Sequence, residues 1–128
     1  MKLPPLIPLV ACLLHLWASS PAVAQSLPPD AISAVVGVLG QTPDQAVQLD
    51  ILRGMKAGLQ GRRGLKMPEG WEAVEQRLGA SPSREVRDLV LNLGLTFGSQ
   101  RALTSLRGTF LDPKAEAASR RLALDGLL

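Results

Sequence analysis

The stretch that decides the fold lies at residues 83–98 and reads SREVRDLVLNLGLTFG. Its apolar side chains recur at the spacing of one helical face, at Val86, Leu89, Val90, Leu93 and Phe97. Ser81 or Ser83 can cap the start of such a helix, and Gly98 can end it. Because Leu91 and Leu95 beside this stripe are also apolar, we expect the helix to have neighbours on two sides and to form the centre of the core.

The same helical spacing continues on both sides, and no stretch alternates in the manner of a strand, so the sequence predicts an all-α fold. Helices are expected over residues 29–39, 43–60 and 69–78, and after the caps Ser99 and Asp112-Pro113. The second of these would be capped by Thr42, with Gln45 as the capping-box partner. About six short helices joined by tight turns fit an irregular bundle or a stack of antiparallel pairs.

The spacing also predicts which side chains of the outer helices face inward. These are Ile32, Val35, Val36 and Leu39 in the first helix, Val47, Ile51, Gly54 and Gly58 in the second, Trp71, Val74 and Leu78 in the third, Leu103, Leu106 and Phe110 in the fifth, and Ala118, Leu122 and Leu127 in the sixth.

Internal similarity favours the stack over the bundle. A shift of 33 residues aligns Arg87 with Arg120 and also brings Leu89 onto Leu122. A shift of 32 superposes the apolar positions of the third helix, Trp71 included, on those of the fifth. Both helices of one pair therefore match both helices of the next, and we expect a helical repeat, an α-solenoid.

The N-terminus has the features of a secretory signal. Lys2 precedes an apolar run over residues 3–17, and Ala22-Val23-Ala24 forms a small-x-small cleavage site. We expect removal of residues 1–24 and a periplasmic or secreted product. The alternative is a lipoprotein signal, in which Cys12 of Leu9-Val10-Ala11-Cys12 is lipidated. Because prolines interrupt the run and it is short, we expect no stable membrane span after cleavage.

The predicted cleavage site and the predicted helices give the domain boundaries. Residues 25–41 would form a linker and the first helix, and residues 42–128 the repeat domain. The only cysteine and the only histidine, Cys12 and His15, fall within the predicted signal. The remainder therefore has no disulfide, thiolate nucleophile, imidazole base, usual zinc ligand set or C-x-x-C-H haem attachment, and we expect neither catalysis nor a cofactor or metal.

The net charge is a weaker indication of what the protein binds. Loss of Lys2 lowers the count of basic residues from 14 to 13 against 11 acidic ones, a mature charge of about +2. A glycine-rich turn at residues 61–68 concentrates Arg62, Arg63 and Lys66. These cations could bind an acidic partner, or they could be a solvated turn near a helix C-terminus, where the dipole favours them. The turn lacks P-loop spacing and interleaved aromatic residues, so nucleic-acid binding is not expected.

Other conspicuous residues have structural interpretations. Trp71 could anchor a partner, but its spacing with Val74 and Leu78 places it in the core, as Phe97 is placed by its own stripe. Glu69, Glu72 and Glu75 recur every three residues and are expected on a solvated face. Arg87 and Arg120, at matching places in the two units, are expected to bond turn groups of a neighbouring repeat.

Several stretches of the sequence resemble known helical-repeat proteins. Residues 83–90, 95–98 and 101–103 resemble HEAT-type repeats, in which the second helix of each unit carries an arginine near its start. More narrowly, GLQGRR at residues 58–63 and MPEGW at residues 67–71 resemble the HEAT-like segment of very large exported proteins, the PVC-type haem-binding CxxCH proteins or membrane-bound dehydrogenases.

The resemblance covers residues 44–128 and implies a sugar-dehydrogenase-like propeller before the helical segment and a c-type cytochrome after it. Because the sequence contains no C-x-x-C-H, no haem function carries over. A signal directly in front of the segment suggests a detached module or a truncated relative, and the apolar end at Leu127-Leu128 suggests a covering partner or a truncation.

Three functions of different classes follow from these features. The first is an exported, non-catalytic helical-repeat module that binds another exported protein. The second is an accessory or truncated component of a periplasmic c-type cytochrome or dehydrogenase assembly, with a haem-bearing redox subunit as partner. The third is an enzyme that uses only carboxylates and arginines, which would require a cleft with two converging acids.

Overall fold

The computed structural model describes residues 28–128, so the predicted signal over residues 1–24, with Cys12 and its alternative lipidation, lies outside the described range. Within that range there are six helices and no strand. They are α1 (Pro29–Gln41), α2 (Gln45–Gly58), α3 (Trp71–Leu78), α4 (Arg84–Thr96), α5 (Gln100–Leu111) and α6 (Ala117–Leu127). The predicted all-α class is therefore confirmed. None of these helices has the length and apolar character needed to cross a membrane.

Helix α4 is the central element of the fold. Every side chain of its predicted stripe is buried, and the helix packs against α2, α3 and α5. Ser83 is the cap, since its side chain accepts a hydrogen bond from the Val86 amide. Gly98 follows the helix with φ +68°, a backbone conformation that glycine adopts without strain. Helix α4 thus lies at the centre of the core, as the spacing of its apolar residues predicts.

The main hydrophobic cluster lies among α1, α2, α3 and α4. Trp71 is fully buried there, and its ring meets the edge of Phe97 with 5.0 Å between centroids and 70° between ring planes. Such edge-to-face pairs are favourable beyond the area that they bury. The predicted core positions of both aromatic residues are therefore confirmed. In this apolar setting the Nε1 of Trp71 has no hydrogen-bond partner within the described part of the chain.

The helices follow a simple packing order. Helix α1 packs on α3 and on α2, α2 packs on α4, and α3 packs on α4. Helices α5 and α6 join them through α5, which packs on α4, while α6 packs on α5. Few side chains are buried in these two helices, namely Ala102, Leu106 and Ala123. Helices α5 and α6 are consequently an addition to one side of the main cluster.

Helix α2 differs from expectation in its cap and its buried face. Asp44, not Thr42, caps it, because the Asp44 carboxylate accepts from the amides of Ala46 and Val47. The buried residues are Gln48, Leu52 and Met55, whereas Val47 is 45% exposed. The predicted face was wrong because Gln48 turns inward, where its amide donates to the Thr42 carbonyl at 2.7 Å and closes the α1–α2 turn.

Two other faces also differ. In α1 Val35 is 39% exposed, while Val36 and Leu39 are fully buried as expected. In α6 the start differs as well. Asp112 does not cap this helix but closes a turn, in which its side chain accepts from the Lys114 amide at 2.9 Å, and α6 begins only at Ala117.

The buried face of α6 also differs from expectation. Leu122, expected inside, is 71% exposed. Helix α6 buries only a narrow face, because it packs mainly on one neighbour, α5.

The acidic face predicted for α3 is interrupted at Glu75. Glu69 and Glu72 are exposed, but Glu75 is only 5% exposed and accepts a hydrogen bond of 2.7 Å from the Ser99 hydroxyl. Ser99 also caps α5, as predicted, by accepting from the Ala102 amide. The solvated interpretation of Glu75 was wrong because α5 covers this position.

Gly94 makes this junction of α3, α4 and α5 possible. A Cβ atom at Gly94 would lie 2.5 Å from Oε1 of Glu75 and 2.9 Å from the Cβ of Ala102. Both distances are shorter than van der Waals contact, so only glycine fits without displacement of a neighbour. Gly54, which the sequence placed on the inward face of α2, instead has open space around its Cβ position.

We expect Gly94→Ala to lower the free energy of unfolding by about 1–3 kcal/mol, the usual cost of overpacking. Gly54→Ala, the matched control, should raise it by up to about 1 kcal/mol, because an alanine at an open helical position restricts the unfolded chain. Urea denaturation of both variants measures the difference. Equal stability of Gly94→Ala and wild type would contradict the close approach.

Ser99→Ala should be more destabilising than Ser83→Ala. Both changes remove a helix cap, which costs about 1 kcal/mol. Only the first also removes the hydroxyl that bonds the buried Glu75 carboxylate, which adds about 1–3 kcal/mol. The two free energies of unfolding can be compared under the same conditions, and equal losses would show that the Glu75 contact contributes nothing.

Candidate protein-binding groove

A groove of about 730 Å³ runs between α2 and α4. The C-terminal half of α2 and the loop that follows it form one wall, and α4 forms the other. Leu103 of α5 and Gly126 of α6 complete the lining. The groove includes apolar side chains from α4 and α5, namely Leu89, Leu93, Leu95 and Leu103.

The charge along the groove is strongly unbalanced. Among residues 28–128, four cations line it, Arg53, Lys56, Arg62 and Arg63, against one carboxylate, that of Glu85. Low-lying apolar surface beside guanidinium groups suits a ligand with both carboxylates and apolar side chains.

Glu85 and Arg53 join the two walls. The Arg53 Nε donates to Oε1 of Glu85 at 2.8 Å, and Nη2 donates to the same oxygen. Both side chains remain about half exposed. The Asp50 carboxylate lies 3.7 Å from Nη1 of Arg53, one helical turn back on α2. The single carboxylate of the groove is thus already paired with one of its four cations.

Backbone hydrogen bonds hold the loop that carries Arg62 and Arg63. The Arg62 amide donates to the Leu59 carbonyl at 3.0 Å, and the Leu65 amide donates to the Thr96 carbonyl of α4 at 3.0 Å. Gly61, with φ +78°, allows the chain to turn between α2 and these arginines. The loop is therefore fixed to the last turn of α4, which places both arginines on the groove.

The three cations predicted as a binding cluster do not all meet. Arg62 and Arg63 line the groove, whereas Lys66 is exposed and lies outside its lining. Sequence reasoning missed Arg53, Lys56 and Glu85. The spacing of three between Arg53 and Lys56 indicates one face of α2, but that this face meets Glu85 depends on how α2 packs on α4.

The residues predicted as structural lie at helix junctions. Nη1 of Arg87 donates to the carbonyls of Ser81 and Pro82, at 2.6 and 3.0 Å. Nε of Arg120 donates to the Phe110 carbonyl at 3.1 Å. Arg87 thus bonds the turn that precedes its own helix, whereas Arg120 bonds a carbonyl in the last turn of α5, and neither bond reaches a neighbouring repeat as predicted. The physical reason is reach, since each arginine stands one turn into the helix that follows its turn.

A second groove, of about 430 Å³, lies between α3, α4 and α5. Arg87 and Arg101 line it together with Asp88 and Glu75, so its charges balance. Among the described residues no group of three or more His, Cys, Asp or Glu side chains could hold a metal ion. The groove between α2 and α4 is therefore the stronger candidate for recognition of a charged partner.

No family model matches the sequence, and neither the curated proteins nor the solved structures contain a significant match to it.

Arg87→Ala should lower the free energy of unfolding by about 1 kcal/mol, because two charge-assisted bonds to turn carbonyls are lost at a partly solvated site. Arg84→Ala is the matched control, since Arg84 makes only a 3.7 Å contact with Asp88 between largely exposed side chains. Its change should stay within about 0.5 kcal/mol. Chemical denaturation measures both free energies of unfolding, and an equal loss in the two variants would contradict a structural role of Arg87.

Proposed function

We propose that this protein is an exported, non-catalytic helical-repeat module that binds another exported protein through the groove between α2 and α4. The observation that carries the proposal is the charge of that groove, with four cations around apolar surface and one carboxylate that is already paired.

A HEAT-like stack of helix pairs is part of the proposal. Two observations support it: α1 packs on α3 while α2 packs on α4, and Arg87 of α4 and Arg120 of α6 each donate to a backbone carbonyl that precedes its own helix. Stacked pairs provide continuous surfaces along one side, which such proteins use to bind extended partners. The groove follows the surface where α2 and α4 are neighbours.

The chemistry of the groove favours binding over turnover. Arginine donates hydrogen bonds in a fixed planar fork and keeps its proton under all ordinary conditions, so it recognises carboxylates without acting as an acid or base. Leu95 and Leu103, which are partly exposed in the groove, can cover apolar side chains of the same ligand. An acidic segment with interspersed apolar residues would satisfy both features.

The test uses a short fluorescein-labelled peptide that alternates Glu and Leu, with the matching Gln and Leu peptide as reference. Fluorescence anisotropy measures binding to the wild type and to Arg62→Ala, Arg63→Ala and Lys66→Ala. Each variant removes one positive charge from the same loop. We expect each arginine variant to weaken binding of the acidic peptide about fivefold, as for loss of one charge-assisted contact of about 1 kcal/mol.

Lys66→Ala should leave the affinity unchanged, because Lys66 lies outside the groove. An equal loss in all three variants would indicate general attraction by net charge. Equal affinity for the acidic and the amide peptide would overturn the proposed function.

A further inference from the structure

We propose that Glu85 occupies, in the free protein, the place that a carboxylate of the partner takes in the complex, and that the groove therefore selects segments with two acidic side chains. This inference rests on the proposed function of the groove and names the chemistry of its occupant.

The first step is the position of the Arg53–Glu85 pair. It joins α2 to α4 across the groove, between residues 32 apart in the chain. Two donors of the Arg53 guanidinium converge on a single oxygen of Glu85. This is the contact that a carboxylate arriving from outside would make with the same guanidinium.

The second step is that the pair can open at low cost. The side chains of Arg53 and Glu85 are 53% and 51% exposed, and exposed ion pairs contribute little to stability. Glu85 is also in the first turn of α4, where the helix dipole favours its charge whether or not it is paired. A ligand carboxylate can therefore replace Glu85 at Arg53 without unfolding the wall of the groove.

The third step gives the number of acidic groups. Exchange of one carboxylate for another at Arg53 makes one ion pair and breaks one, so a single acid gains little there. Arg62, Arg63 and Lys56, in contrast, form no ion pair with any side chain in residues 28–128. A second acid directed at these cations supplies the net attraction. The occupant is thus a chain segment with one carboxylate for Arg53 and another for the loop arginines.

Glu85 then acts as a specificity-determining residue. A neutral or basic segment leaves the Arg53–Glu85 pair closed and meets unpaired cations beyond it. A segment with one acid is free to use Arg62 or Arg63 but not Arg53. Only a segment with two acids engages both parts of the groove.

Glu85→Gln tests this step, with Glu72→Gln as a control of equal charge on an exposed part of α3 outside the groove. The probes are the Glu and Leu peptide with two glutamates and the same peptide with one glutamate changed to Gln. We expect Glu85→Gln to tighten binding of the two-acid peptide about two- to fivefold, as expected when an exposed competing pair is removed. The one-acid peptide should change less than about twofold, and Glu72→Gln should affect neither.

Arg53→Gln provides a second variant. It should reduce the preference for the two-acid over the one-acid peptide, because only the site at the loop arginines then remains for a carboxylate. If Glu85→Gln and Glu72→Gln bind alike while Arg62→Ala still weakens binding, Glu85 is not a stand-in and the groove keeps its proposed function. If the wild type does not distinguish the acidic from the amide peptides, the proposed function fails as well.

Discussion

The position of α5, and with it that of α6, depends on one close approach, where α3 and α5 meet α4 at Gly94. The absence of a side chain there lets the Glu75 carboxylate and the Ala102 methyl group come near the backbone of α4. Ser99 completes the junction, since one hydroxyl both bonds Glu75 and caps α5. Burial of a carboxylate is unfavourable unless it is hydrogen-bonded, so this bond sets where α5 begins relative to α3. Through α5, the junction also positions Leu103 of α5 and Gly126 of α6 beside the groove.

In the groove, one arrangement of side chains suits both the stability of α2 and the recognition that we propose. Arg62 and Arg63 follow the C-terminal end of α2, where the helix dipole favours positive charge. The Leu65–Thr96 bond fixes their loop to α4, so these favoured cations also stand beside apolar surface of α4. The sequence presented a solvated basic turn and a binding cluster as alternatives, and the binding wall that we propose consists of two side chains of that same turn. A solvated turn becomes one wall of a groove because the apolar surface of α4 lies beside these arginines.

Local features of the chain were predictable in detail. The period of α4, the serine caps of α4 and α5, and the inward positions of Trp71 and Phe97 follow from contacts within a turn or two of helix. The predictions for α2 and α6 were wrong for a different reason. Gln48 is buried because it can bond the Thr42 carbonyl, and Leu122 is exposed because no helix in the described range covers it. Hydrophobic pattern gives the period of a helix, but the neighbours decide which face of it is covered.

The sequence by itself therefore determined the all-α class, the number of helices, several of their caps and the side chains of the central stripe, because these depend on residues close together in the chain. The tertiary structure alone decided that Glu75 is buried, that Lys66 stands apart from Arg62 and Arg63, and that Arg53 pairs with Glu85. Each of these facts joins elements that are distant in sequence. Their charges and apolar faces acquire partners only when α2, α3 and α5 pack around α4, and no local periodicity encodes that packing.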